Sequence, residues 1–462
     1  MCIIGTNNVE NLHNLYIAPN LDPLQGIRMK RSIEQKLTDW KTDKDRKPLL
    51  LVGARQVGKS YSVLEFGRAN YANVAVFNFD GNDDLKGIFE RDLDPNRIVR
   101  ELSSYSGQTI VPNGTLIFFD EVQACGRAIT SLKYFYEQRP DYHIIAAGSL
   151  LGSYLVRGPV SFPVGKVNRL VMYPMTFKEF LTEMNPAAIP LIEEAFRENT
   201  RSALHDKMLD LYRTYLFTGG MPEAIMKWKE RQDPVYVSMV HQGILTMYAG
   251  DVGKYSSPAE QVRTRAIYDS LPAQLAKENK KFQYSLIGSR VRAADYETGL
   301  DWLESAGIAL KCRKTGAGEI PLASNVDLTS YKIYMNDVGL LNTKSSVPPI
   351  MILSERSNIS SGAKGAMTEN YVMQELTANG LEPYYWGSNG KAEVDFVVQI
   401  GDKVVPIEVK AADNVKAKSL QEFVKKYSPE YSVRISTKNF GFDNGIKNVP
   451  LYAVWCISPA MS

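Results

Sequence analysis

PLLLVGARQVGKS, residues 48–60, joins an apolar run to a glycine-rich loop, and the helical pattern SYSVLEFGRA follows directly. The eight residues from Gly53 to Ser60 fit G-x-x-x-x-G-K-S/T, and a strand before with a helix after is the context in which that pattern builds a phosphate-binding loop. Gly53 and Gly58 let the backbone turn its N–H groups inward at phosphate oxygens, and the helix N-terminus adds favourable partial charge. Gly53, Ala54, Gln56, Val57, Gly58, Lys59, Ser60 and Tyr61 are therefore the expected nucleotide-holding residues, with ATP and Mg²⁺ as the ligands. Lys59 would neutralise the β- and γ-phosphates, and the Ser60 hydroxyl would bind Mg²⁺.

Working outward, VAVFNFD, GTLIFFDE and YHIIAAGS alternate with helical patterns up to Leu155, which predicts a parallel sheet with helices on its faces. In the second of these runs Leu116 to Phe119 end in Asp120 and Glu121. A buried parallel strand delivers such carboxylates to the sheet edge where phosphates bind, so Asp120 is expected in the Mg²⁺ shell and Glu121 as the base for the attacking water. Ser149 ends the next run, where its hydroxyl would sense the γ-phosphate or cap the following helix. The charge-neutralising arginine has three candidates, Arg127, Arg139 and Arg157, or comes from a neighbouring subunit of a homo-oligomer.

Before the loop, residues 1–28 lack periodicity and Met29 opens the amphipathic MKRSIEQKLTDWK, so Met29 is read as the natural start and 1–28 as a flexible extension. The ATPase core is expected over 29–158 and a helical lid over 159–256, where TFKEFLTEM, LHDKMLDLYRTYLF and VHQGILTMYAGD take over from strands. Residues 257–342 read as helix, short helix, helix and two strands, a winged-helix-like order. In the third helix Tyr296, Leu300 and Leu303 recur at helical spacing, and Gly307 stands where a C-terminal cap would. Residues 343–362, rich in Ser and Pro, read as a linker to a smaller α/β domain over 363–462, whose last strands are SVRIS and LYAVWCI.

That last domain carries a second constellation. Asp395 lies in VDFVV, Glu408 and Lys410 lie in PIEVK, and Glu369 lies in the preceding helical segment. Alternation along a strand puts Glu408 and Lys410 on one face while Ile407 and Val409 point into the core. A helix-borne Glu, a strand Asp and a Glu-x-Lys pair follow the order found in metal-dependent phosphodiesterases, with Asp395 and Glu408 as metal ligands. Each piece alone is also what a solvated strand end carries. The lysines Lys416, Lys418, Lys425 and Lys426 of the next helix would follow a DNA backbone or simply face solvent. DYETGLDWLES is too acidic to read a DNA groove, and Lys280 and Lys281 are the better phosphate contacts in the middle region.

Composition sets the bounds. With 44% hydrophobic and 23% charged residues the chain is neither disordered nor fibrous, and a net charge of +3 does not by itself argue for nucleic acid. Cys2, Cys125, Cys312 and Cys456 are too far apart in sequence for a zinc site or redox pair. No apolar run reaches membrane-spanning length and no signal-like start is present, so no membrane partner is expected and the cytoplasm is the default compartment.

These segments together resemble a family. PLLLVGARQVGKS, LIFFDEVQ, IIAAGSLLG, YPMTFKEFL, TGGMPEA, TENYVMQEL, EVDFVVQ and PIEVKAAD look like those of the prokaryotic AAA-type ATPases that carry a C-terminal domain of unknown function with a nuclease-like core. The resemblance runs from about Met29 to the end. It implies an α/β P-loop NTPase sheet, a helical lid, a winged-helix-like middle and a restriction-endonuclease-like tail, with Glu369, Asp395, Glu408 and Lys410 at the positions of the nuclease motif. The expected function is ATP hydrolysis linked to DNA, with nucleotide state controlling the tail. The alternative is a nucleotide-dependent switch or scaffold whose tail binds DNA or protein without cutting.

Overall fold

The computed structural model describes residues 29–157, 163–254, 256–277, 281–288, 292–354, 358–388, 392–411 and 418–459, together with the side chains of these residues except those of 156 and 157. The extension 1–28, Lys280, Lys416 and the Arg157 side chain lie outside that set.

The first sheet has five strands, β1 (Leu49–Val52), β2 (Asn73–Asn78), β3 (Thr115–Asp120), β4 (His143–Ala147) and β5 (Asn168–Val171), in the order β2-β3-β4-β1-β5. Every pairing is parallel, with Leu50 opposite Ala146 and Asn78 opposite Asp120. The central strands are fully buried because helices cover both faces, which is why they read as unbroken apolar runs. β5 falls beyond the expected end of the core at 158. It is an edge strand, NRLV, with alternate residues exposed, so it lacks the apolar run that marks a buried strand.

Helices dominate from Phe177 to Leu275, past residue 256, the expected end of the lid. The first, Phe177–Met184, starts in a capping box: Thr176 Oγ1 accepts the Glu179 N–H and Glu179 accepts the Thr176 N–H. The helix Pro234–Asp251, within the span read as the lid, is capped at its start by Asp233.

The second sheet is mixed and has eight strands: β6 (Ala309–Thr315), β7 (Val326–Met335), β8 (Tyr384–Ser388), β9 (Ala392–Ile400), β10 (Lys403–Val409), β11 (Ser432–Ser436), β12 (Gly441–Asp443) and β13 (Ile446–Pro450). Its order is β12-β13-β11-β10-β9-β8-β6-β7. The two strands read as a wing are therefore the edge of the tail's sheet: β6 lies parallel to β8, with Arg313 opposite Tyr384. The segment read as a linker holds a short helix, Pro349–Leu353, and leads into the long tail helix Ser361–Ala378. LYAVWC, read as a closing strand, is instead 3-10 turns over Leu451–Cys456, all six residues being buried; burial on every side gives the same apolar run as a strand. Among the described residues no helix is long and apolar enough to cross a membrane.

Candidate functional site

The phosphate loop leaves β1 and enters the helix Lys59–Asn70. Gly53 has φ +150° and approaches the β5 end so closely that a Cβ would stand 2.2 Å from Met172 O; Gly58 caps the helix with φ 93°. Both glycines are thus required by backbone geometry.

The loop, the β3 carboxylates and Ser149 come together. Ser60 Oγ donates to the Asp120 carboxylate at 3.0 Å and 3.1 Å. Burial pushes the Asp120 carboxyl up, against the Ser60 hydrogen bond. Lys59 is buried and its Nζ donates to Gly53 O at 2.9 Å and Ala54 O at 2.8 Å. Burial pushes its ammonium down to about 8, opposed by Glu121 and Asp120. Glu121 sits in a left-handed conformation at the strand end, φ 48°, and accepts from Ser149 Oγ at 3.1 Å and from Gln123 Nε2. Gln56 is exposed, while Ala54 and Val57 are buried beneath the loop.

A serine hydroxyl beside a strand-end carboxylate fits Mg²⁺, which takes one or two protein oxygens together with phosphate and water. Mg²⁺ bound there would neutralise charge on the phosphates. Lys59 then supplies a second positive charge, and Glu121 lies where a carboxylate can take a proton from water, held in place by Ser149 and Gln123.

Residues missed from the sequence hold this loop. Arg31 is buried; it donates to Val57 O at 2.7 Å, to Tyr173 O at 2.8 Å and to Glu179 Oε1 at 3.1 Å. Its partner is 148 residues away, so no local pattern reveals the pair. Of the candidate arginines, Arg127 is held by Phe89 O and lies near Glu90, and Arg139 is paired with Asp141 at the entry to β4, opposite the strand ends that carry the loop.

In the tail, the expected residues are neighbours. Tyr334 Oη donates to Glu369 Oε2 at 3.3 Å, Asp395 Oδ2 accepts the Val409 N–H at 2.8 Å, and Lys410 pairs with Glu408 at 2.5 Å. Glu408 is as buried as the core residues beside it, and its Oε2 accepts no hydrogen bond among the described residues. Burial, with Glu369 and Glu408 adding like charge, pushes the Asp395 carboxyl well above the usual range. A further residue completes the cluster: the buried Lys332 of β7 pairs with Glu393 and lies close enough to Glu369 and Asp395 for their charges to raise its ammonium, against the cost of burial. Among the described residues no group of three or more His, Cys, Asp or Glu side chains is arranged to hold a metal ion. Lys418, Lys425 and Lys426 lie on the helix Lys418–Tyr427; Lys426 rests over the Tyr427 and Trp386 rings.

The parallel sheet, its loop and the acidic strand end define a P-loop NTPase of the ATPase type. More particularly, residues 45–181 match the family described as an AAA domain, so the chain carries an AAA-type ATPase domain. Residues 209–350 and 364–454 match two domains of unknown function, DUF8612 and DUF4143. No curated protein matches the chain. Among solved structures it is similar to the Walker-type ATPase PABY2304 of Pyrococcus abyssi, at 14% identity and TM-score 0.40 over 69% of this chain and 96% of that one. It is also similar to the Aeropyrum pernix ORC2 protein, at 13% identity and TM-score 0.36 over 72% and 95%. For the Thermotoga maritima RuvB Holliday junction branch migration motor the values are 15% and 0.27, over 64% of this chain and 91% of that one. At such TM-scores these likenesses are distant, and the fold rests on the sheet itself.

Proposed function

We propose that this chain hydrolyses ATP with Mg²⁺ and uses its nucleotide state to set the conformation of the C-terminal unit, which engages DNA. The observation that carries the hydrolytic part is the contact of Ser60 with Asp120, beside Lys59 and a Glu121 that Ser149 holds in place. Together they supply a metal shell, a phosphate cation and a base. The ordered set Glu369, Asp395, Glu408 and Lys410 supports a phosphodiester ligand for the tail. Cutting of that ligand is one reading. A switch or scaffold that binds without cutting is the other, and it is favoured by the internally paired Lys410–Glu408 and Lys332–Glu393.

One experiment tests both parts: phosphate release from ATP with and without single-stranded, duplex and branched DNA, scored alongside cleavage of the same DNAs in Mg²⁺ or Mn²⁺. ATP turnover stimulated by DNA, with no cleavage, supports the switch. Cleavage that is lost in Asp395→Ala establishes a nuclease. Turnover that DNA does not change removes DNA from the proposal.

A further inference from the structure

One arginine lies inside the phosphate loop and is given no part above. The Arg55 Nε stands 3.2 Å from Asp251 Oδ2, and its terminal nitrogen donates to Ser149 Oγ at 3.4 Å. Ser149 is the residue whose hydroxyl is given to Glu121. Guanidinium, hydroxyl and carboxylate are therefore linked by two successive hydrogen bonds. Asp251 is the last residue of the lid helix Pro234–Asp251 and is 3% exposed, so whatever holds its charge also sets the lid against the loop.

The grip on Arg55 is uneven. Its backbone is anchored, since Tyr248 Oη of the same lid helix donates to Arg55 O at 3.1 Å. Its side chain is one-third exposed, and its contact with Asp251 is an ion pair without an aligned hydrogen bond, for Asp251 Oδ2 accepts none among the described residues. The other oxygen of Asp251 is held at 2.5 Å by Lys254, so the buried acid keeps a counter-charge when Arg55 leaves. Arg55 also sits close enough to Lys59 for its charge to oppose that of the ammonium. Two cations on one short loop are relieved by a polyanion, and a planar guanidinium matches the oxygens of a terminal phosphate.

We propose that Arg55 is the charge-neutralising arginine of this ATPase, supplied in cis, and that it exchanges Asp251 for the terminal phosphate of a nucleoside triphosphate. The exchange makes the lid contact depend on triphosphate against diphosphate. This rests on the ATPase reading above.

The test uses the full chain and two readouts: ATP turnover, and equilibrium binding of fluorescent ATP and ADP. Arg55→Ala is expected to lower kcat by on the order of 10²-fold or more, in line with arginines that stabilise phosphoryl transfer. It should also bring the ATP affinity towards the ADP affinity while leaving the latter in place. Arg55→Lys should recover part of the ATP preference, and Asp251→Asn, which weakens the competitor for the guanidinium, should increase it. Wild-type kcat and an unchanged ATP-to-ADP ratio in Arg55→Ala overturn the assignment, and so does an unchanged ratio in Asp251→Asn. A wild-type protein that neither binds nor hydrolyses ATP overturns the ATPase reading itself, a result distinct from an active wild type with an indifferent Arg55.

Discussion

Asn370 and Met335 exchange two hydrogen bonds: the Asn370 amide donates to Met335 O at 3.0 Å and accepts the Met335 N–H at 2.8 Å. This buried clasp fixes the tail helix, and with it the adjacent Glu369, to the end of β7. The next residue, Asn336, donates to Tyr248 Oη at 3.2 Å, and that hydroxyl reaches the carbonyl of Arg55. Contacts thus run from the phosphate loop to the helix turn that carries Glu369.

Asn370→Ala removes both hydrogen bonds and leaves a buried donor and acceptor of Met335 without partners. The expected cost is about 2–4 kcal/mol of stability, read as a lower denaturant midpoint at unchanged slope. A loss under about 0.5 kcal/mol, the scale of an ordinary surface change, would mean the clasp does not hold.

The Arg31–Glu179 pair should matter for nucleotide binding as well as stability. Burial opposes the charge on Glu179, but Arg31 and the N–H groups of Ser32 and Thr176 outweigh it and hold the carboxyl below its ordinary value of 4.5. Its contribution is therefore complete above about pH 4.5 and is lost as pH falls through the lower folded value. Glu179→Gln leaves the Arg31 charge buried without its partner. We expect a loss of about 3–5 kcal/mol and weaker ATP binding through the Arg31–Val57 contact, measured by thermal unfolding and nucleotide titration.

Glu375 behaves in the opposite sense. It is fully buried on the tail helix, Oε1 accepts the Phe177 N–H at 2.9 Å, and burial pushes its carboxyl up to about 8. The folded chain thus holds a proton that the unfolded chain has lost between about pH 4.5 and about pH 8. Stability should fall across that window, with a slope of at most about 1.4 kcal/mol per pH unit from this group. Glu375→Gln has no proton to lose, so its unfolding temperature should vary less between pH 5 and pH 8. An identical pH profile for the two proteins would show that Glu375 does not titrate there.

What the sequence revealed and what it hid follow from separation along the chain. Gly53 to Ser60, Asp120 and Glu121 were legible because each is dictated locally, by a turn that needs glycine or by a buried strand ending in acids. β6 and β7 were read as a free wing because a hairpin pattern carries its own pairing but not that of its neighbour; the parallel match of Arg313 with Tyr384 bridges more than seventy residues. The tail acids Glu369, Asp395 and Glu408 were found from motif order, yet their counter-charge Lys332 lies on a strand assigned to another unit and was missed. Arg55 was in plain view, but its letter in the loop pattern is a free position, and only the contact with Asp251 marks it out.

If Lys59, Asp120, Glu121 and Ser60 form one ATP-hydrolysing centre, turnover must depend on them. The most direct measurement is ATP turnover with Mg²⁺ for wild type, Lys59→Ala and Glu121→Gln, together with ATP binding by each. The expected result is a turning-over wild type, a Lys59→Ala protein without turnover, and a Glu121→Gln protein that retains ATP binding but hydrolyses on the order of 10²-fold more slowly or worse. Unchanged turnover in both folded variants would contradict it.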